Sequence, residues 1–245
     1  EYKREIAYFL NHDINNGMES SDATRQKTSD NSRIPQRKSI NPLLGTKWNQ
    51  NSPYNLLCPI DPKTNKQSVT GCVATAMAQV MKFHNWPESA TGSIDDFSFE
   101  GTAFDWDEML NEYTTDNYTE KQGQAVAELM LNCGRSVKMK YGSSESSAVS
   151  REVGVALLNY FGYDSSIHYN LRDYFTQAEW DDLVYSDLAK GHPVYYHGRT
   201  PSGGHAFVCD GYAGNGYFHF NWGWGGSQDG YFRLFALNPA SGGIG

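Results

Sequence analysis

Apolar residues recur at helical spacing from Cys72 to about His84, where Val73, Met77, Val80, Met81 and His84 share a side and Trp86-Pro87 ends the pattern. This is the clearest helix in the chain. A second is predicted over residues 120–134, with Val126, Leu129, Met130 and Cys133 on one side and a glycine stop. Two more follow over residues 150–163 and 177–191. After Gly191 the period changes, and PVYYHG, HAFVCDGY, GYFHFNWGW and GYFRLFAL read as short β-prone runs separated by glycine. No segment between them could hold a crossover helix, so antiparallel hairpins are expected. Helices first and strands later predict an α+β protein with two lobes.

The N-terminal residues read differently. Residues 3–10, KREIAYFL, fit a short amphipathic helix, whereas residues 14–41 are rich in Ser, Asn, Asp, Arg and Lys and read as an exposed linker. Order is expected to resume at PLLGTKWNQNSPYNLLCP, where aromatics and leucine return. A chain of 245 residues can bury a substantial core, so oligomerisation is not needed for stability and a monomer is expected. Net charge is −8 and the isoelectric point about 5.3, with no Lys/Arg cluster of the kind that follows a phosphate backbone, which argues against nucleic acid as a partner. No run approaches the roughly 18 apolar residues of a membrane span, and the first residues lack the layout of a secretory signal. A soluble chain is expected, with any export signal outside these residues and no membrane partner.

Candidate chemistry centres on TGCVATAMAQVM, which sets Cys72 between a glycine and the helix. A cysteine in a first helical turn faces unsatisfied backbone N–H groups and the positive end of the macrodipole, both of which favour thiolate. Gly71 lets another chain approach closely, while Val73, Ala74 and Ala76 can pack inward. Three readings compete: a small core residue, half of a disulfide, or a nucleophile. Four cysteines, Cys58, Cys72, Cys133 and Cys209, permit three paired connectivities, but a chain of this size does not depend on staples. The other three fit reduced structural residues.

A nucleophilic thiol needs a base, and His205 stands out among the seven histidines. In SGGHAFVCDGY it follows two glycines, which leave room for a substrate backbone, and heads a strand that can hold the ring. An ordinary strand histidine fits equally well from this clue alone. Sixteen residues later Asn221-Trp222 opens NWGWGG; an Asn amide can fix an imidazole tautomer and an indole can shield that bond from water. A packed aromatic turn is the plainer reading. Gln50, in Trp48-Asn49-Gln50, has a side-chain amide that could hold an oxyanion beside a nucleophile's own N–H, although most glutamines are simply solvated.

GCVATAMAQVMKFHNWP, GGHAFVCDGY and FHFNWGWGGSQDGYFRLFALNP together resemble the streptopain family of secreted bacterial cysteine peptidases, and the resemblance runs from about Pro42 to Ala240. It implies a papain-like two-lobe fold, with a helical lobe over about 42–165 and an antiparallel β lobe over about 166–245. Carried over residue by residue, the nucleophile falls on Cys72, the general base on His205, the orienting and shielding pair on Asn221 and Trp222, and the oxyanion glutamine on Gln50. Contacts to the substrate backbone map to Ser147 and Gly204, the serine-rich loop also aligning with a shift of a residue or two. Relatives are made as zymogens, so residues 1–41 resemble the tail of an inhibitory prosegment with its activation linker. The chain stops at SGGIG, where relatives continue to a final strand.

The implied reaction is hydrolysis of protein or peptide substrates by a secreted bacterial endopeptidase, through an imidazolium–thiolate pair and a thioester, with no metal or organic cofactor. Two other readings are open. His192, His197, His205, Cys209 and His219 lie close in sequence and form a zinc-like ligand set of unusual spacing. Alternatively, the aromatic, glycine-rich face could grip a glycan or a protein, leaving Cys72 inert.

Overall fold

The computed structural model describes residues 4–9, 37–200 and 203–239. Four helices carry the first lobe and its packing onto the sheet: α1 (Cys72–His84), α2 (Glu120–Ser136), α3 (Glu152–Tyr160) and α4 (Gln177–Ala189). All four fall where the apolar spacing sets them, with α3 shorter at both ends. α2 and α4 start at capping boxes, Thr119 with Gln122 and Thr176 with Glu179, each pair satisfying two N–H groups that a helix start leaves open. α1 has no side-chain cap. It ends where Asn85 turns into the left-handed region and donates to Lys82 and Met81 carbonyls.

The main sheet has six antiparallel strands: β1 (Arg4–Phe9), β6 (His168–Leu171), β7 (Val194–Thr200), β8 (Gly203–Gly214), β9 (Tyr217–Asn221) and β10 (Gly230–Arg233), in spatial order β10-β9-β8-β7-β1-β6. Two short hairpins, β2 (Ile60–Asp61) with β3 (Lys66–Gln67) and β4 (Ser93–Ile94) with β5 (Phe97–Ser98), decorate the helical lobe. The late glycine-separated runs thus pair as expected.

Residues 4–9 are a correction. They form a strand, not a helix, and lie between β7 and β6 with backbone partners on both sides. A six-residue stretch is too short to hold a helix alone, and two sheet edges offer its backbone a full set of hydrogen bonds. Order also starts before Pro42. Ile40 pairs with Tyr212, and Leu43 N–H donates to the Asp210 carbonyl, so residues before the expected boundary already lie against β8. Residues 14–36 of the expected linker, and the C-terminal residues 240–245, lie outside the described residues.

Period-two alternation divides the core across the sheet. Val194 and Tyr196 of β7, with Phe207 and Cys209 of β8, pack on Trp180, Val184 and Leu188 of α4. Tyr195, Ala206 and Val208 point the other way, into a cluster with Val73, Met77 and Val80 of α1. The helix carrying Cys72 therefore lies against the strand carrying His205.

Candidate active site

Cys72 is the first residue of α1, and the backbone before it can be nothing but glycine. Gly71 has φ +86°, and a Cβ there would meet Met139 Sδ at 2.8 Å and the Ser146 carbonyl oxygen at 3.0 Å. The chain that approaches Gly71 closely is thus the protein's own loop. Val73 to Met81 are buried without a break, so α1 is enclosed on nearly every side. All four cysteines are free thiols, and Cys58, Cys133 and Cys209 are buried.

Burial pushes the Cys72 thiol up, against the pull of the Ala206, Val73 and Cys72 N–H groups, which favour the charged form. The helix-end argument for a thiolate is therefore outweighed by desolvation. The same contacts place the Cys72 sulphur beside the amide of Ala206, the residue after His205. Burial likewise lowers the His205 imidazole to about 4, opposed by its bond to Trp222. Burial thus acts against the charged form of both groups of the ion pair expected from sequence.

His205 pairs in register with Gly198 and is in phase with Phe207 and Cys209. Its Nε2 lies 2.8 Å from the Trp222 carbonyl oxygen. A carbonyl only accepts, so Nε2 carries the proton and Nδ1 the lone pair. The expected amide partner does something else: Asn221 Oδ1 accepts from Gln79 Nε2 and from Gly223 N–H, each at 3.0 Å, and its Nδ2 donates to the Thr46 carbonyl at 2.7 Å. The reason is burial, since Asn221 has no water to satisfy it and takes these protein partners. The imidazole lies parallel to two indoles, Trp224 at 4.7 Å and Trp222 at 6.4 Å between ring centroids. Trp224 is the nearer shield and was not singled out from sequence; its signal was the second tryptophan of NWGWGG.

The segment before α1 closes the arrangement. The Gln50 carbonyl accepts from Thr70 N–H at 3.1 Å, which ties Gln50 to the turn leading into Cys72. Trp48 is fully buried; its carbonyl accepts from Gly225 N–H at 2.9 Å and its indole N–H donates to the Leu110 carbonyl. Gln50, Cys72 and the 221–226 loop are thereby held together. Ser147 is exposed, but its backbone N–H and C=O both pair with Lys140, which leaves the hydroxyl as its unengaged group. Gly204 lies exposed in β8, and a Cβ there would meet His197 Nε2 at 2.9 Å.

Asp229 accepts from the Trp222 N–H at 2.9 Å and is raised to about 6, burial being the main cause. Among the described residues no three His, Cys, Asp or Glu side chains converge as a metal site. Of the zinc-like set, His219 Nδ1 bonds Asp210 at 2.6 Å and His205 bonds the Trp222 carbonyl. No helix among the described residues is long and apolar enough to cross a membrane.

These elements define an α+β, papain-like two-lobe fold that sets a helix-end cysteine against a strand-borne histidine. The chain belongs to the peptidase C10 family, whose model matches residues 48–232. It is 38% identical over 238 residues to streptopain of Streptococcus pyogenes, covering 86% of this chain and 59% of that protein. The thiol protease/hemagglutinin PrtT of Porphyromonas gingivalis is 39% identical over 209 residues, covering 81% of this chain and 24% of its own. The active interpain A cysteine protease of Prevotella intermedia superposes with a TM-score of 0.75 at 38% identity, over 82% of this chain and 89% of that one. A prointerpain A fragment matches with a TM-score of 0.72 at 38% identity, over 80% of this chain and 65% of its own.

If neutral His205 is the base, kcat/KM for a peptide substrate should fall as pH drops through about 4, where burial holds its titration, and not near 6.5. A pH–rate profile checks this. An acid limb near 6.5 would mean that the imidazole is not desolvated in the working enzyme.

Proposed function

We propose that the protein is a secreted cysteine endopeptidase, made as a zymogen, that cleaves protein substrates through Cys72 and His205. The observation that carries this reading is the Cys72 sulphur set beside the Ala206 amide, immediately after a histidine whose Nε2 is tied to the Trp222 carbonyl. Its relatives are named cysteine and thiol proteases, and one match is a proenzyme fragment.

In the proposed cycle His205 Nδ1 takes the Cys72 proton as sulphur attacks the scissile carbonyl carbon. The resulting oxyanion is held by the Cys72 N–H and the Gln50 side-chain amide. Collapse breaks the C–N bond, His205 returns its proton to the leaving amine, and a thioester remains. Water, deprotonated by His205, then attacks the thioester, and the released thiolate recovers the proton. Ser147 and Gly204 would border the substrate chain, and residues 1–41 would include the prosegment tail that restrains the monomer until cleaved.

Iodoacetamide at near-stoichiometric dose, followed by mass spectrometry, should label Cys72 well ahead of Cys58, Cys133 and Cys209. Burial raises all four thiols, but Cys72 alone of the four is not fully buried, so it is the one the reagent can reach. Uniform labelling, or none at Cys72, would remove the nucleophile assignment.

A further inference from the structure

Seven residues separate Cys72 from Gln79, two turns of α1 and about 10 Å along its axis, so both lie on one face of the helix with Thr75 between them. That face meets the loop after β9: a Cβ on Gly223, which has φ +71°, would come within 3.2 Å of Thr75 Cγ2. Gln79 is fully buried, and an amide in that position requires partners on both ends. It has them. Thr46 Oγ1 donates to Gln79 Oε1 at 2.8 Å, and Gln79 Nε2 donates to Asn221 Oδ1 at 3.0 Å. Asn221 Nδ2 returns to the Thr46 carbonyl at 2.7 Å, closing a ring that joins the segment before α1, α1 itself and the end of β9.

The ring reaches the imidazole through one peptide group. Asn221 Oδ1 also accepts the Gly223 N–H, and the carbonyl of that same Trp222–Gly223 peptide accepts from His205 Nε2. Rotating the peptide would break both bonds together. Donation therefore runs from His205 through that peptide to Asn221 Oδ1, and Gln79 Nε2 donates to the same oxygen, so that Gln79 holds in place the acceptor on which the peptide is anchored.

We propose that Gln79 is a positioning residue for His205: by fixing the Asn221 amide and hence the Trp222 carbonyl, it sets the imidazole against the nucleophile carried two turns away on its own helix. The inference rests on the peptidase reading. Leucine or methionine at position 79 would leave Asn221 Oδ1 with a single donor and the Thr46 hydroxyl without its acceptor. Glutamate would keep the acceptor for Thr46 but supply a donor to Asn221 only while protonated. Other charged or titratable groups nearby are His197 from β7, which acts on His205, Asp229 behind Trp222, and Cys72 with Glu145 on the far side of the Ala206 amide.

The test compares the full wild-type chain with Gln79→Met, Gln79→Glu and Cys72→Ala, reading kcat and KM on a casein-derived peptide and the pH dependence of Cys72 alkylation. Gln79→Met loses both of its buried hydrogen bonds and is expected to lower kcat about tenfold with KM within twofold, as Asn221 and the Trp222 carbonyl loosen. Its alkylation profile should shift to lower pH, because a weakened Trp222 bond no longer favours protonated His205. Gln79→Glu should approach wild-type kcat at acidic pH and lose it as pH rises through the carboxyl's titration. Wild-type kcat and pH profile in Gln79→Met, or a loss confined to KM or melting temperature, overturns the proposal. If Gln79→Met does not fold, a Gln79→Glu profile parallel to wild type overturns it instead. Activity surviving in Cys72→Ala would sink the peptidase reading itself, which keeps the two failures apart.

Discussion

Cys72→Ala should reduce peptide hydrolysis by about 10⁴-fold or more while the protein keeps its fold. The size follows from what the thiol does: without it there is no thioester, and the positioning of His205 and the oxyanion donors can act only on water. The fold should survive because the side chain lost is small and stands at the first turn of α1, with the buried stretch Val73–Met81 untouched. Melting temperature should stay within a few degrees of wild type, and hydrolysis of a casein-derived peptide is the activity readout. Retained hydrolysis would return the aromatic, glycine-rich face to consideration as a binding surface with an inert cysteine. Loss of both hydrolysis and fold would instead make Cys72 a packing residue, one of the readings that sequence left open.

The helices were legible because their signals are local. Val73, Met77, Val80 and Met81 recur within one segment, and Thr119 and Thr176 sit three residues before the glutamine and glutamate that complete their caps. The strand order was less so. Residues 4–9 find their partners some 160 and 190 residues away, and a six-residue apolar pattern carries no mark of which edge will receive it.

Within the candidate site, the placement of Cys72 at a helix start and of His205 near a strand start was readable, and their environment was not. A helix dipole can be inferred from position, but desolvation depends on what the opposite lobe brings, and it is the larger influence on both groups. The acceptor that fixes His205 is a backbone carbonyl, which any residue at 222 would supply, so no side chain advertises it. Gln79 was hidden for a related reason. A glutamine among alanines reads as a helix's wet face, and only the packing of Thr46 and Asn221 around it makes that position dry.

Asp210→Ala is expected to destabilise the protein by about 3 kcal/mol. Asp210 lies where the pairing of β8 with β9 shifts register between Cys209 and Gly211, and its side chain is only 1% exposed. One oxygen meets His219 Nδ1 at 2.6 Å and the other accepts the Leu44 N–H at 3.0 Å. Truncation leaves a buried backbone donor and an imidazole nitrogen without partners, and a vacancy too enclosed for water to repair freely. For a chain of this size each kcal/mol moves the melting temperature by about 2–4 °C, so a fall of roughly 10 °C should appear in a thermal melt. Asp210→Asn should cost less, because its amide oxygen can keep the Leu44 N–H and its NH₂ can donate to a His219 nitrogen that has changed tautomer. The order Ala below Asn below wild type follows from the hydrogen bonds, whereas equal losses would point to the carboxylate's charge. That matters beyond stability: Leu44 stands two residues before Thr46, so the bond anchoring it to β8 also anchors the segment whose hydroxyl and carbonyl close the ring around Gln79 and Asn221.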